Sequence, residues 1–334
     1  MSPLLFIFFS AAEACKVEAI YSTSSAFAAK LSDGRVVTWG NGYEGGDSKA
    51  VEKQLQDVET IYSNRYAFAA QKSSGEVITW GDPDHGGDSS AVSQLSGVQK
   101  IYSNERGFAA IKSDGSVVQW PRPCGDLKVG AEAVVVSSRF AFAAKRSDGS
   151  VLVWGDEHFG GDATALRDEL ASEVQQIYAT SAAFAAKKTD GRVITWGDPK
   201  KGGDSSAVQG VLRNVTTIYS AQHAFAAKLS DGRVVTWGDP LAGGDSSAVT
   251  RDLSQGVESI QSTAYAFAAK KSGGSVVTWG SPSYGGNSSH VAGLFDVESI
   301  SSTWATFAAK RTDDTVLVWG ADNNSIGGLL PLRE

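Results

Sequence analysis

Phe225-Ala-Ala-Lys-Leu-Ser-Asp-Gly-Arg-Val-Val-Thr-Trp-Gly238 decides the fold, because the chain repeats this stretch, with small changes, eight times. Its tryptophan recurs as Trp39, Trp80, Trp120, Trp154, Trp196, Trp237, Trp279 and Trp319, at spacings of 41, 40, 34, 42, 41, 42 and 40 residues. The phenylalanine keeps the same spacings from Phe27 to Phe307. A period near forty built of strand-like phrases marks a propeller or a related array. A unit this short cannot bury both faces of a small sheet alone, so neighbouring copies must share a core.

Outward from that stretch, each copy opens with a β-branched and aromatic phrase such as Val58-Glu-Thr-Ile-Tyr-Ser63, which predicts a first strand. Ala67-Phe-Ala-Ala-Gln-Lys72 predicts a second, its small residues implying that another backbone packs closely over it. Ser32-Asp-Gly-Arg35, Thr189-Asp-Gly-Arg192 and Ser230-Asp-Gly-Arg233 are tight-hairpin signals, since Asp and Gly tolerate positive φ. Arg35–Gly40 predicts a third strand with Val37 and Trp39 on one face. Asp82-Pro-Asp-His-Gly-Gly-Asp88 is a turn-rich loop, and Ser89-Ser-Ala-Val92 with Leu95 predicts a short helix capped by Asp88. The third copy departs from this plan. Trp120 is followed by Pro121-Arg-Pro-Cys-Gly-Asp-Leu127, and the shortened spacing predicts that the helical turn is lost there.

The phrase Phe-Ala-Ala-Lys-Leu-Ser-Asp-Gly-Arg-Val-Val-Thr-Trp-Gly at 225–238 resembles the repeats of the regulator of chromosome condensation family, and the resemblance covers all eight copies. In repeat length the chain is more similar to the second class of β-lactamase inhibitory proteins. The family's histidine before the second strand is absent here, its place taken by Ala or Gly in most copies and by Thr306 in the last. The resemblance implies a closed β-propeller, usually of seven blades. The expected fold is therefore all-β, a closed propeller of about eight, alternatively seven, small three- to four-stranded blades with short helical turns between them. An open solenoid is the other arrangement. Residues 17–334 are expected to form this single propeller of eight repeats.

Composition narrows the function classes. A hydrophobic share of 42% and a charged share of 20% belong to a globular protein. A net charge of −7 argues against nucleic acid as main partner, because phosphate binding needs a concentrated positive field. Cys15 and Cys124 show no metal-ligand spacing. Residues 1–16 stand outside the repeat: Leu4–Phe9 is apolar and Ala12-Glu-Ala14 has the form of a cleavage site, but no Lys or Arg precedes Lys16. One reading is a signal peptide and secretion. The favoured reading is a closing strand or cap on a cytoplasmic protein. No stretch approaches the ~20 apolar residues of a membrane span.

Eight near-identical copies supply one group many times, whereas an enzyme needs unlike groups converging on one point. His85, His158, His223 and His290 fall at different phases and pair with no nucleophile, so no catalytic residue, cofactor or metal is expected. The acid pairs Asp82/Asp88, Asp198/Asp204 and Asp239/Asp245 read as turn caps before they read as calcium ligands. Lys30, Lys145, Lys187, Lys228, Lys270 and Lys310 read as solvated groups paired with the hairpin Asp.

Where copies differ, the fold leaves residues free. Variation concentrates between the first two strands and just after Trp-Gly. Equivalent loops end on one face of a propeller, so Tyr66, Arg106, Phe140, His223, Tyr265 and Trp304 are the expected binding residues. Aromatic and Arg side chains of this kind dominate protein-binding hot spots. The leading expectation is a non-enzymatic, monomeric scaffold that binds another protein. The alternatives are guanine-nucleotide exchange on a small GTPase, permitted by the resemblance but lacking an inserted wedge, and a secreted sugar-binding propeller.

Overall fold

The computed structural model describes residues 15–88, 90, 95–291 and 293–320; the signal-or-cap reading of the N-terminus falls on residues outside this range. Eight small antiparallel sheets follow one another along the chain, the all-β organisation of a propeller of about eight blades. The first four blades hold β1 (Val17–Ser22), β2 (Ala26–Leu31), β3 (Val36–Gly40); β4 (Val58–Ser63), β5 (Ala67–Lys72), β6 (Val77–Gly81); β7 (Val98–Asn104), β8 (Gly107–Lys112), β9 (Ser116–Trp120), β10 (Leu127–Lys128); and β11 (Val134–Ser137), β12 (Ala141–Lys145), β13 (Val151–Gly155). The last four hold β14 (Val174–Ala179), β15 (Ala183–Lys188), β16 (Val193–Gly197); β17 (Val215–Ser220), β18 (Ala224–Leu229), β19 (Val234–Gly238); β20 (Val257–Ser262), β21 (Ala266–Lys271), β22 (Val276–Gly280); and β23 (Val297–Ser302), β24 (Thr306–Arg311), β25 (Val316–Gly320). Two compact units divide them, blades 1–3 in a unit ending at Ala131 and blades 4–8 in a unit beginning at Glu132.

Hairpin register places Phe opposite Trp in every blade, as in Phe68↔Trp80 and Phe225↔Trp237. The two rings stack at 5.2 Å in both of these pairs. The face carrying them is sealed by the preceding blade. Ala67 and Ala69 of β5 pack against Ile101, Phe108, Ala110 and Trp120 of the third blade. Ala183 and Ala185 pack likewise against Ile218, Phe225 and Trp237. This is the close approach that the paired alanines implied.

Above six of the eight ring pairs sits a glycine of the preceding blade. The Trp80 indole N–H donates to the Gly45 carbonyl at 3.0 Å, and Trp237 and Trp279 donate to Gly202 and Gly243 at 3.0 Å. Gly202 has φ of +101°, and a Cβ there would lie 2.6 Å from Cδ2 of Phe225. Its glycine is therefore required twice, by conformation and by contact. Trp154 of the fourth blade has a buried indole N–H without a partner. It follows the one described copy whose loop contains no Gly-Gly pair.

The third blade confirms the lost turn and adds something the sequence did not announce. Leu127 and Lys128 pair with Val117 and Ser116, so β10 becomes a fourth strand. In blades 1, 4, 5 and 6 the expected short helix is a single 3-10 turn such as Ser206–Val208, preceded in blade 5 by another at Pro199–Lys201. The helix expected at residues 89–92 lies largely outside the described residues. The strand-b lysines also differ from expectation. Lys30, Lys270 and Lys310 meet Glu18, Glu258 and Glu298 of the first strand, and only Lys310 also reaches a hairpin carboxylate, Asp314. The hairpin aspartates Asp33, Asp190 and Asp231 are instead taken by Arg35, Arg192 and Arg233 two residues on.

Two stability measurements follow. Gly202→Ala should lower unfolding free energy by about 3 kcal/mol in urea titration, through strain and overpacking, whereas exposed Gly210→Ala should change it by less than about 0.5 kcal/mol. Trp196→Phe removes the bond to the Gly160 carbonyl, and Trp154→Phe removes none. Trp196→Phe should therefore be the more damaging by about 1–2 kcal/mol in the same titration.

Candidate functional site

Both variable loops of a copy lie side by side, fastened by one small polar residue. In the loop between the first two strands, Thr180 accepts from the Ala183 N–H at 3.0 Å and donates to the Lys201 carbonyl at 2.9 Å. Ser138 joins Ala141 to Phe159, Thr263 donates to Tyr284, and Asn64 joins Ala67 to His85 in the same way. A backbone turn and a 3-10 turn are thus held by one side chain. Sequence comparison placed these residues among the variable ones. In seven of the eight copies their chemistry is that of a short donor–acceptor, with Ala221 the exception, and that was the available signal.

The next residue in each loop builds a ladder between blades. In the second unit the N–H groups of Arg139, Ser181, Gln222 and Ala264 donate to the carbonyls of Ser181, Gln222, Ala264 and Trp304, all at 2.8–2.9 Å. In the first unit Ser24 donates to Arg65. Backbone positions of the loops are therefore fixed, and their side chains are the free variable.

Four of the six sequence-selected residues, Phe140, His223, Tyr265 and Trp304, belong to the second unit; Tyr66 and Arg106 belong to the first. Phe140, His223 and Tyr265 occupy the loop position after the ladder residue, whereas Trp304 is itself a ladder residue and is 61% exposed. The structure brings His223 and Tyr265 together, edge to face at 5.3 Å. Tyr265 then meets Tyr284 at 4.7 Å, and Phe140 meets Phe159 at 4.5 Å. The Lys201 ammonium lies 5.8 Å from the Phe159 ring centroid, within cation–π range. Phe140, Phe159, Lys201, His223, Tyr265 and Tyr284 form an arc over blades 4 to 7. Phe159, Lys201 and Tyr284 come from the loop after Trp-Gly, which sequence reading treated as a separate region. Leu241, in the same loop of blade 6, is 79% exposed.

In the first unit Tyr66 packs on His85 at 4.2 Å, with the Arg65 guanidinium 5.6 Å from the Tyr66 ring. His85 Nδ1 lies 2.8 Å from Asp82, which also accepts from the Tyr43 hydroxyl at 3.2 Å and pushes that phenol's pKa up. Arg106 donates its backbone N–H to Asn104.

The paired aspartates serve their own turns. Asp198 accepts from Lys200 N–H and Asp204 from Ser206 N–H; Asp239 accepts from Leu241 N–H and Asp245 from Ser247 N–H. These donors hold Asp204 and Asp245 below the usual carboxylate range. Among the described residues, no group of three His, Cys, Asp or Glu side chains is placed to hold a metal ion, and no helix is long and apolar enough to cross a membrane.

His223 is the titratable member of the arc. Burial lowers its pKa first, the Lys201 charge lowers it further, and Asp239, 3.6 Å from Nδ1, opposes both. A histidine depressed in the folded state contributes fully above its unfolded pKa of 6.5, and the contribution falls as pH drops through the folded value. NMR titration of the His223 ring should show Lys201→Met raising the midpoint and Asp239→Asn lowering it.

No protein-family model matches the chain, and no curated protein matches its sequence. Solved structures resemble it loosely. The yeast RCC1 protein (Prp20), in its crystal structure with Kap60, is similar at 14% identity, TM-score 0.44, over 95% of this chain and 86% of that one. The computationally designed Ika8 protein gives 13% identity and TM-score 0.39 over 92% and 96%. The CRINKLY WD40 ectodomain of the Arabidopsis thaliana receptor kinase ACR4 gives 14% and 0.38 over 80% and 94%.

Proposed function

We propose that the chain is a non-enzymatic scaffold that binds another protein through the variable loops of its second unit. The observation that carries this reading is the arc of Phe140, Phe159, Lys201, His223, Tyr265 and Tyr284, side chains from two variable loops per blade set on a hydrogen-bonded backbone ladder. Exposed Leu241 in blade 6 and exposed Trp304 in blade 8 add apolar area in the same loop sets. Aromatic rings bury large area with few rotors, and loops already ordered lose little entropy on docking. In this reading the arc works by contact, while the acid pairs serve their own turns.

The test is partner capture from the source organism by the full chain and by a Phe159→Ala/Tyr265→Ala/Trp304→Ala variant. Partners held by the parent should be lost, with affinity down tenfold or more per central residue, on the order of hot-spot effects. A control carrying Lys270→Ala and Lys310→Ala, at the strand-b lysines, should retain them. An unchanged partner set with the triple variant folded would remove this surface from consideration.

A further inference from the structure

We infer that the outer edge of β22 in blade 7, at its Val276 end, accepts an extended, lysine-bearing segment of a partner protein as a short fourth strand. The third strand is the outer edge of its sheet in seven of the eight blades. Residues three before the tryptophan turn their backbone groups outward there, and in blades 3 to 6 the protein satisfies them in different ways. In blades 1 and 2 Val36 and Val77 meet no loop carbonyl among the described residues but share a core cluster with buried Leu55 and Leu95. Val151 N–H donates to the Leu170 carbonyl at 2.9 Å, and Val234 N–H to the Leu253 carbonyl at 3.0 Å. The Val193 carbonyl accepts from the Gln209 side chain. In blade 3 the counterpart Val117 pairs with Leu127 of β10, so a whole strand adds at this edge.

Val276 holds that position in blade 7, opposite Lys270 as Val234 is opposite Lys228. Among the described residues its N–H and carbonyl meet no loop group of this kind. The leucine that closes over the edge elsewhere is buried as Leu170, Leu212 and Leu253, but Leu294 is only partly buried. A cleft of 520 Å³ runs along the strand instead, floored by all five residues from Val276 to Gly280. Its walls come from the loop of blade 6 around Ser246 and Val249 and from the turn at Gly286–Ser289. Toward Gly280 that turn already covers the strand, with Ser288 bonded to Thr278 and Gly286 against the Gly280 carbonyl, so the segment pairs at Val276, as β10 pairs at Val117 in blade 3.

Charge selects the segment. Asp245 and Asp252 line the cleft, and no Lys or Arg does; the nearby Lys271 ammonium is held by the Asp252 backbone carbonyl. An unpaired edge that bears carboxylates favours a strand with backbone groups to pair and an ammonium to place. The strand β10 shows the combination within this chain, an apolar residue followed by Lys128.

The probe is an acetylated, amidated peptide with the sequence of residues 125–131, Gly-Asp-Leu-Lys-Val-Gly-Ala, added to the full-length protein. Hydrogen exchange at the Val276 amide should slow by about tenfold or more at saturation, while Val151 and Val234 amides stay unchanged. The same peptide N-methylated at leucine should give no protection, because it cannot pair. A Lys→Glu peptide, and an Asp245→Asn/Asp252→Asn protein, should each bind roughly fivefold more weakly, as exposed ion pairs imply. Unchanged exchange at Val276 with millimolar peptide overturns the inference. So does equal protection by the N-methylated peptide.

Discussion

A buried indole N–H must find an acceptor, and this fold takes the acceptor from the neighbouring copy. Six of the eight Trp–Phe pairs are closed by a glycine carbonyl from the preceding blade, as Gly45 closes Trp80 and Gly285 closes Trp319, and Trp154 is left without one. The bond itself contributes about 1 kcal/mol, but leaving the donor unmet in a dry site costs more. No blade is therefore complete alone, and the array is the unit that folds. In the first unit Phe27 and Trp39 of the opening blade, over which no glycine lies among the described residues, are 43% and 40% exposed.

The same constraint creates the variable surface. The covering glycine must arrive six residues after its own Trp, with positive φ and no Cβ, so the chain turns sharply just before it. Of the two residues ahead of that glycine, the first is turned outward, as Lys200, Leu241 and Ser283 are, and the second is partly buried as Lys201 or Tyr284 and fully buried as Ala242. Their last carbonyl is then tied to the a–b loop by Thr180 or Thr263. Scaffold and presentation are one geometry, because the covering turn also exposes the first of these two residues.

Much of the scaffold was legible in the sequence, since its signals have a period. Strands Val58–Ser63 and Ala67–Lys72 stand where alternation and the hairpin glycines put them. The pairing of the two variable loops was not legible, because nothing in the spacing says that residue 140 meets residue 159. The fourth strand β10 escaped for a related reason: two residues carry no alternation, and their partner lies ten positions back across an irregular loop. The lysine pairings were misjudged because the hairpin Asp is nearest in sequence. Its own Arg, two residues on, reaches it first, as in Arg192 to Asp190 at 2.6 Å. Trp304 was grouped by size with Phe140 and Tyr265, yet it holds the ladder position one residue earlier.

Such an arrangement makes recognition nearly independent of stability. Burial of Phe, Ala and Trp and the glycine contacts decide whether a copy folds; exposed identities such as Lys200 or Leu241 enter neither, while Phe159 and Tyr284 also rest part of their rings on the core. Eight copies can then carry eight different answers at the same coordinates, and an exposed Leu241 is tolerated because its own turn is held by Asp239 and Pro240. Ordering a long side chain at an interface costs about 0.5–1.5 kcal/mol. Rings already packed edge to face, as Tyr265 is on Tyr284, have met part of that cost before any partner arrives. The repeat thus confines variation largely to side chains whose backbone is already fixed, and under the proposed function a substitution at an exposed position such as Leu241 would change recognition with little cost to the fold.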